Sequence, residues 1–555
     1  MRKIRVFLLL SMFFVFGQNM GWAQGINTKD ITYDEKPKLV VGIVVDQMRY
    51  GYLPLYWDKF EQGGFKRLIN KGYNFKNHHY NYFPTFTGPG HAAIYTGTTP
   101  STNGIVANSW YDRNTGKAMY VVSDSTVQAV GTDPNSTAGK MSPLNLLSTT
   151  VTDALKDANR NNKVIGVSIK DRAAILPAGH IADGAYWFDG ESGNFISSTW
   201  YMDELPSWLQ EFNEEGLAKE LSEKTWETLL PLDEYTESNP DVTPYEGAFE
   251  WEDSPAFPHE FSKYEGDSYD IVASSPYGNT LVKELAKKAV EGENLGNHKT
   301  TDFLAISFSS TDYVGHRFGP HSIEVEDTYL RLDRELADLF DYLDQKIGEG
   351  NYMVMLTADH AAVDVPQELV DRGLPGGYFD SGEAVGQLVD YLSEEYGDKE
   401  WIVDYRNQQV YLNRELIREE DLSLRDMQDD AASFLRQFEK VKSTNTAHNF
   451  QYFNYSEGYQ ALYQRGFLFD RSGDVYIQLK PGYMDSSSRT GTSHGSPYAY
   501  DTHVPMLFYG WNIPHGATTD KTFIPQIAPT IATMLNIPLP SGTPANVLSF
   551  STDNE

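Results

Sequence analysis

Thr87, in PheProThrPheThrGlyProGlyHis (83–91), and the pair Asp359–His360, in TyrMetValMetLeuThrAlaAspHis (352–360), are the residues with the most chemical potential. Asp359–His360 closes an apolar, strand-like run, the place where α/β sheets keep their reactive groups. Asp46 closes a second such run, Asp312 and His316 follow a third, and His494 lies in a Gly/Ser loop. Carboxylates and imidazoles gathered from distant segments suit two metal ions ~4 Å apart, serving the attacking and leaving oxygens of an in-line displacement. Such a centre needs about three protein ligands per ion, with room for substrate oxygens. Asp46, Asp359 and His360 make one set, beside the Thr87 oxygen; Asp312, His316 and His494 make the other. Asp312 and His316 are four apart, so a helical turn puts both on one face. Thr87 precedes Gly88-Pro89-Gly90, a turn into a helix whose free amides favour phosphate. Its hydroxyl becomes a nucleophile only if its proton is removed, which metal coordination achieves. Alone, each residue has a plainer role, such as a strand-end turn for Asp46 or a helix N-cap for Thr87. Their recurrence after successive apolar runs is what points to a shared site.

The elements that must position these groups are legible as apolar, β-branched runs: Leu39–Val45, Val164–Ile169, Phe303–Phe308, Tyr352–Leu356 and Val504–Tyr509. Short, nearly continuous apolar runs are expected of parallel strands buried on both faces. Helical spacing marks Tyr277–Val290 and Thr328–Ile347, the latter through Leu332, Leu336, Leu339 and Leu343. The alternation predicts an α/β fold, a mostly parallel sheet covered by helices on both faces. Two stretches, at about 190–275 and 366–480, break the pattern and are expected to be cap insertions in a single catalytic domain spanning 24–555.

Arg2, Lys3 and Arg5, the apolar run Val6–Phe16 and Gly21-Trp22-Ala23 form a signal-peptide pattern over 1–23, with cleavage expected after Ala23. That predicts a periplasmic or secreted protein with no membrane anchor after cleavage, since no later run approaches ~20 apolar residues. Cysteine is absent, which excludes disulfides, thiolate ligands and a lipid-attachable thiol. The chain's formal net charge is −32, and removing the three leader cations leaves 42 basic against 77 acidic residues, or −35. Such a surface disfavours docking to nucleic acid or anionic membranes. An anionic substrate then needs a local positive centre, which bound metal would supply. The ten histidines other than His316, His360 and His494 are assigned to helix starts, strands and surface loops.

With these residues in view, the chain resembles the alkaline phosphatase superfamily. Within it, the chain is similar to the monomeric, calcium-free, phosphate-irrepressible bacterial alkaline phosphatases, whose core is type I phosphodiesterase/nucleotide pyrophosphatase-like. The matching segments are ValValAspGlnMetArg (44–49), the Thr87 segment, ThrGlyThrThrProSerThrAsnGlyIle (96–105), LysAspArg (170–172), the stretch 310–316, ThrAlaAspHis (357–360) and ThrSerHisGly (492–495). Asn103 departs from the histidine usual before GlyIle in this group. The resemblance implies two Zn2+ per chain, a phosphothreonine intermediate on Thr87, and a monomer. It implies that Asn108, Lys170 and Arg172 grip the non-bridging phosphate oxygens. Lys170 and Arg172 are two apart at an expected strand end, so alternation would turn both to one side. Cationic donors aimed at terminal oxygens favour small-molecule phosphate monoesters over diesters. A sulfatase is disfavoured because Thr87 and His91 stand where its maturation motif has Cys or Ser and Arg. A phosphodiesterase or nucleotide pyrophosphatase, and a non-catalytic secreted phosphate- or metal-binding protein, are the alternatives.

Overall fold

The computed structural model describes residues 36–544 and 546–550, so the expected leader lies outside the described residues. The centre of the fold is a ten-stranded sheet. Five of its strands carry the site: β1 (Leu39–Val45), β2 (Val164–Ser168), β3 (Asp302–Phe308), β4 (Tyr352–Thr357) and β5 (Met506–Gly510). They lie side by side in the order β5-β4-β1-β3-β2, with Tyr73–Phe75 and Gly516–Thr518 beyond β5, and Gly184–Asp189, Asn194–Ser198 and Ala129–Val130 beyond β2. All seven residues of β1 are buried. Since successive side chains point to opposite faces, both faces of the sheet are covered.

β1 pairs in parallel with β3 and β4, and β3 with β2. β5 departs from the parallel expectation: it runs antiparallel to β4, pairing Met506 with Thr357. The loop carrying His494 delivers the chain to the C-terminal edge of the sheet, so a strand starting there can only run back. The register aligns the strand ends. Val45 pairs with Phe308, Val44 with Thr357, and Ser307 with Ser168. The residues that follow β1, β2, β3 and β4 therefore leave the sheet along one edge.

Five helices matter for the site: α1 (Thr87–Thr96), α2 (Asp171–Ala178), α3 (Tyr277–Gly292), α4 (Ser310–Phe318) and α5 (Ile323–Lys346). α5 begins five residues before its expected start, with the Ser322 side chain accepting from Val325 N–H at 3.2 Å. Its first turns are acidic yet buried, because Lys59 pairs with Glu326, and Trp226 donates to Asp327 at 2.7 Å.

The two stretches outside the alternating pattern differ in construction. In 190–275, Leu209, Phe212, Trp226 and Phe261 are buried in the same apolar core as the sheet. In 366–480, a separate four-stranded sheet runs in the order Ile402–Arg406, Gln409–Leu412, Val475–Leu479, Val441–Thr446. It has its own core, including Leu388, Met427 and Ile477. Among the described residues no helix is long and apolar enough to cross a membrane.

Candidate active site

Asp46 leaves β1, Asp312 and His316 stand on α4 just past β3, and Asp359–His360 leave β4. His494 arrives on the loop before β5. The fold brings these side chains into two overlapping groups, Asp312/His316/His494 and Asp46/Asp312/His360, with potential ligand atoms all within 4.8 Å of one another in each. Both are groups that can hold a metal ion. The second differs from the expected set in taking Asp312, where Asp359 was expected. Asp359 sits beside it, its Oδ2 3.6 Å from His360 Nε2.

The imidazoles share one orientation. Nδ1 of His316, His360 and His494 lies 2.8, 3.0 and 2.8 Å from the carbonyl oxygens of Thr492, Ala361 and Thr85. A carbonyl only accepts, so each Nδ1 carries the proton and each Nε2 lone pair is turned to the cluster. That is the arrangement by which outer partners fix histidine ligands. Each Nε2 also faces a carboxylate: His316 and His494 lie 3.1 and 3.7 Å from Asp312 Oδ1, and His360 lies 3.4 Å from Asp46 Oδ1. Asp46 Oδ1, Asp359 Oδ2 and His360 Nε2 are buried with no hydrogen-bond partner. Unsatisfied buried groups of this kind are uncommon, and an ion explains them. The donor set fits a pair of divalent cations.

Electrostatics points the same way. Three buried carboxylates converge here, and the Lys170 ammonium lies 2.7 Å from Asp46 Oδ2 and 2.5 Å from Asp312 Oδ2. One lysine cannot balance three acids. Burial, reinforced by Asp46, pushes Asp359 well above the carboxylate range. Burial would raise Asp312 too, but His316 and Lys170 outweigh it and hold Asp312 well below that range. His360 and His494 stack with ring centroids 3.4 Å apart. Burial drops His360 to about 3, and burial with the His360 neighbour drops His494 well below its ordinary value. Neutral imidazole is the ligating form.

Thr87 opens α1 as its first helical residue, with Phe86 as N-cap, and no side-chain bond caps the helix. Its hydroxyl is thus not used as a cap. Arg172 Nη2 lies 3.5 Å from Thr87 Oγ1, and the Thr87 carbonyl faces His91 Nδ1 at 2.9 Å. α1 can lie so close to the ligand loop only because residue 90 is glycine: a Cβ there would come within 2.3 Å of the Asp359 carbonyl oxygen.

Lys170 and Arg172 both face the site, but not through strand alternation. Lys170 is the N-cap of α2 and Arg172 its second residue, so the start of a helix turns them inward. Asn108 Oδ1 accepts from Gly88 N–H at 2.7 Å, which brings it to the first turn of α1. Beyond Arg172 opens a cleft of about 640 Å³, walled in part by Tyr120, Trp187, Tyr313, Asp189 and Asp270.

Several contributors were not anticipated. Gln47, in the left-handed region at φ 64°, donates its backbone N–H to Asp359 Oδ1 at 3.2 Å and its side-chain amide to Asp312 Oδ1 at 2.5 Å. Tyr120 accepts from Arg172 Nη1 at 3.0 Å and donates to Asp171 Oδ1 at 2.5 Å. His78 and His259 are fully buried, unlike the surface-loop or helix-start histidines expected, and His91, expected near the site, is buried on α1. The sole cue for Gln47 was its place directly after Asp46.

The sheet, the acid and histidine groups at its strand ends and the helix that Thr87 opens define a class. A family model described as "Type I phosphodiesterase / nucleotide pyrophosphatase" matches residues 40–502, and the chain belongs to this family. Particular relatives are closer. Alkaline phosphatase PafA of Elizabethkingia meningoseptica is 44% identical over 509 residues, covering 91% of this chain and 93% of its own length. Alkaline phosphatase PhoV of Synechococcus elongatus is 43% identical, covering 93% and 92%. The crystal structure of wild-type PafA superposes with a TM-score of 0.89 at 42% identity, covering 92% of this chain and 98% of that one. A PafA variant substituted at a threonine, an asparagine, a lysine and an arginine has also been solved, with the same TM-score.

Proposed function

We propose that this chain is an alkaline phosphatase, a broad-specificity phosphate monoester hydrolase that uses two zinc ions and a covalent phosphothreonine at Thr87 and releases inorganic phosphate. One observation carries the reading: an uncapped threonine hydroxyl, a guanidinium 3.5 Å from it and an array of carboxylates and inward-turned imidazoles share one buried strand-end site. The four substituted positions of the PafA variant run at the same chain intervals as Thr87, Asn108, Lys170 and Arg172, which supports giving these four the substrate-facing roles.

Asp46, Asp359, His360 and the Thr87 oxygen would hold one ion, and Asp312, His316 and His494 the other. Bound zinc supplies a lowered hydroxyl pKa at Thr87 and a counter-charge for the departing ester oxygen. Thr87 Oγ1 then attacks phosphorus in line as the ester oxygen leaves, and water displaces the threonine in a second step that frees phosphate. Arg172, fixed by Tyr120, and Asn108, fixed against the first turn of α1, hold the non-bridging oxygens as charge spreads over them. Lys170 adds a fixed positive charge at the carboxylates, and such preorganised donors favour the transition state. The cleft beyond Arg172 gives the leaving group room, in keeping with many small-molecule esters. A cleaved leader would deliver the enzyme, as a monomer, to the periplasm or medium.

The test compares p-nitrophenyl phosphate with bis-p-nitrophenyl phosphate. A clear preference for the monoester is expected, and Thr87→Ala should lower turnover by about 10⁶-fold, the scale seen when a serine nucleophile is deleted. Elemental analysis should find two zinc ions per chain, and chelation should abolish turnover that zinc restores. The family's own description favours a second reading, a phosphodiesterase or nucleotide pyrophosphatase. A preference for the diester would select it. Hydrolysis unchanged in Thr87→Ala would place the nucleophile elsewhere, and no hydrolysis of either ester by the metal-loaded protein would overturn both readings in favour of a binding protein.

A further inference from the structure

We propose that the inserted lobe with its own sheet acts as a positioning device for the phosphate ligands, and that Asn407 is its key residue, holding Asn108 through the carbonyl of the next residue, Ser109. This rests on the phosphatase reading of Asn108 and Arg172.

Both ligands are tied to one short hairpin, in which Ser109–Asp112 pairs antiparallel with Lys117–Tyr120. Asn108 immediately precedes the hairpin, and its carbonyl accepts from Val121 N–H at 3.0 Å on the far side. Tyr120 ends the hairpin and holds Arg172. A two-stranded hairpin alone is only marginally ordered in water. Any looseness in it would reach both oxygen-binding side chains together.

The lobe restrains this hairpin at base and tip. At the base, Asn407 Nδ2 donates to the Ser109 carbonyl at 2.7 Å. At the tip, Arg113 Nη2 lies 2.9 Å from Asp474 Oδ2. The Asp474 carboxylate is fully buried and also receives Arg414 Nε at 2.8 Å and Leu412 N–H at 2.9 Å. The contact is therefore rooted in the interior of the lobe.

Asn407 sits in the two-residue turn between Ile402–Arg406 and Gln409–Leu412, and both central residues, Asn407 and Gln408, are left-handed at φ 54° and 58°. That turn usually takes Asn-Gly or Asp-Gly. Glutamine in the second position is strained, and backbone strain that persists is a pointer to function. What the strained turn achieves is to hold the Asn407 amide against the Ser109 carbonyl, one residue past Asn108.

The experiment uses the full-length zinc-loaded enzyme. Asn407→Gly keeps the left-handed backbone and removes the amide; Asn407→Asp keeps the shape and turns the donor into an acceptor. Each should lower kcat/KM for p-nitrophenyl phosphate about fivefold, the weight of one net hydrogen bond, and weaken inhibition by inorganic phosphate by the same factor. Zinc content and thermal midpoint should not change. In an Asn108→Ala background each substitution should lose most of its effect, keeping only the part that reaches Arg172 through the hairpin, a result that a merely structural role for the lobe would not give. An impaired Asn108→Ala to which Asn407→Gly adds its full loss overturns the positioning role while leaving the phosphatase reading intact. So do Asn407 variants with wild-type kinetics. Undiminished turnover in Asn108→Ala overturns the phosphate-ligand reading itself, and the positioning role with it.

Discussion

Gln47 shows how one uncharged side chain can govern a charged site. Its two donors reach Asp359 and Asp312, carboxylates from opposite sides of β1. A hydrogen bond to an ionised carboxylate favours that form, so at Asp359 the Gln47 backbone donor works against the burial that drives this acid upward. Space for it exists because residue 315 is glycine; a Cβ there would lie 2.0 Å from Gln47 Oε1. Outer partners of this kind are typically worth 10–100-fold in metal affinity. Gln47→Leu, of similar volume, keeps the backbone donor to Asp359 but removes the side-chain donor to Asp312, and should weaken zinc binding by about tenfold, the lower end of that scale. Competition with a zinc-binding dye measures it directly. Unchanged affinity would mean that the side-chain bond to Asp312 does not organise the site.

At the scale of elements, the six candidate ligands, five of which fall in the two groups that could hold a metal, could be singled out because each lies at or just past an apolar run or in a Gly-flanked loop, the two places sequence pattern marks best. What escaped depends on geometry that pattern does not encode. The left-handed turns at Gln47 and Asn407 carry no glycine to announce them. The buried acidic start of α5 was hidden because its partners, Lys59, Trp226 and His259, come from segments far away along the chain. His259 joins the inserted stretch to that start, with Nδ1 3.1 Å from Glu252 and Nε2 3.3 Å from Glu324. Burial alone would lower this imidazole, but the two carboxylates outweigh it and lift it to about 9. A pKa raised on folding contributes stability that is complete below the unfolded value near 6.5 and is lost as pH climbs through 9. A rise from 6.5 to about 9 corresponds to roughly 3 kcal/mol at most. Glu246, raised to about 9 by burial and Glu324, acts with the same sign. The thermal midpoint should therefore fall between pH 6.5 and 9.5, and His259→Gln should fall less over that interval while starting lower. Parallel curves for the two proteins in differential scanning fluorimetry would remove His259 from the account.

For the molecule as a whole, the issue is how an anion reaches this site at all. The formal net charge is −32 over 555 residues, and a phosphate monoester at alkaline pH carries two negative charges. Lys170 is buried and Arg172 half-buried, so they act at contact distance, whereas the acidic surface acts over about one Debye length, ~10 Å at 0.1 M salt. The free-energy difference read by kcat/KM starts from separated enzyme and substrate, so long-range repulsion enters it whichever later step is slow. Salt should therefore raise kcat/KM for p-nitrophenyl phosphate, by about two- to fivefold between 10 and 200 mM, a modest effect on the scale of electrostatic steering. The increase should scale with substrate charge: steeper for the dianionic aryl ester, shallower for a zwitterionic ester whose ammonium group halves the net charge. Metal content must stay constant across the series, which elemental analysis of each sample verifies. A kcat/KM that falls with salt for both esters would show that the positive centre around Thr87, and not the acidic envelope, governs the approach.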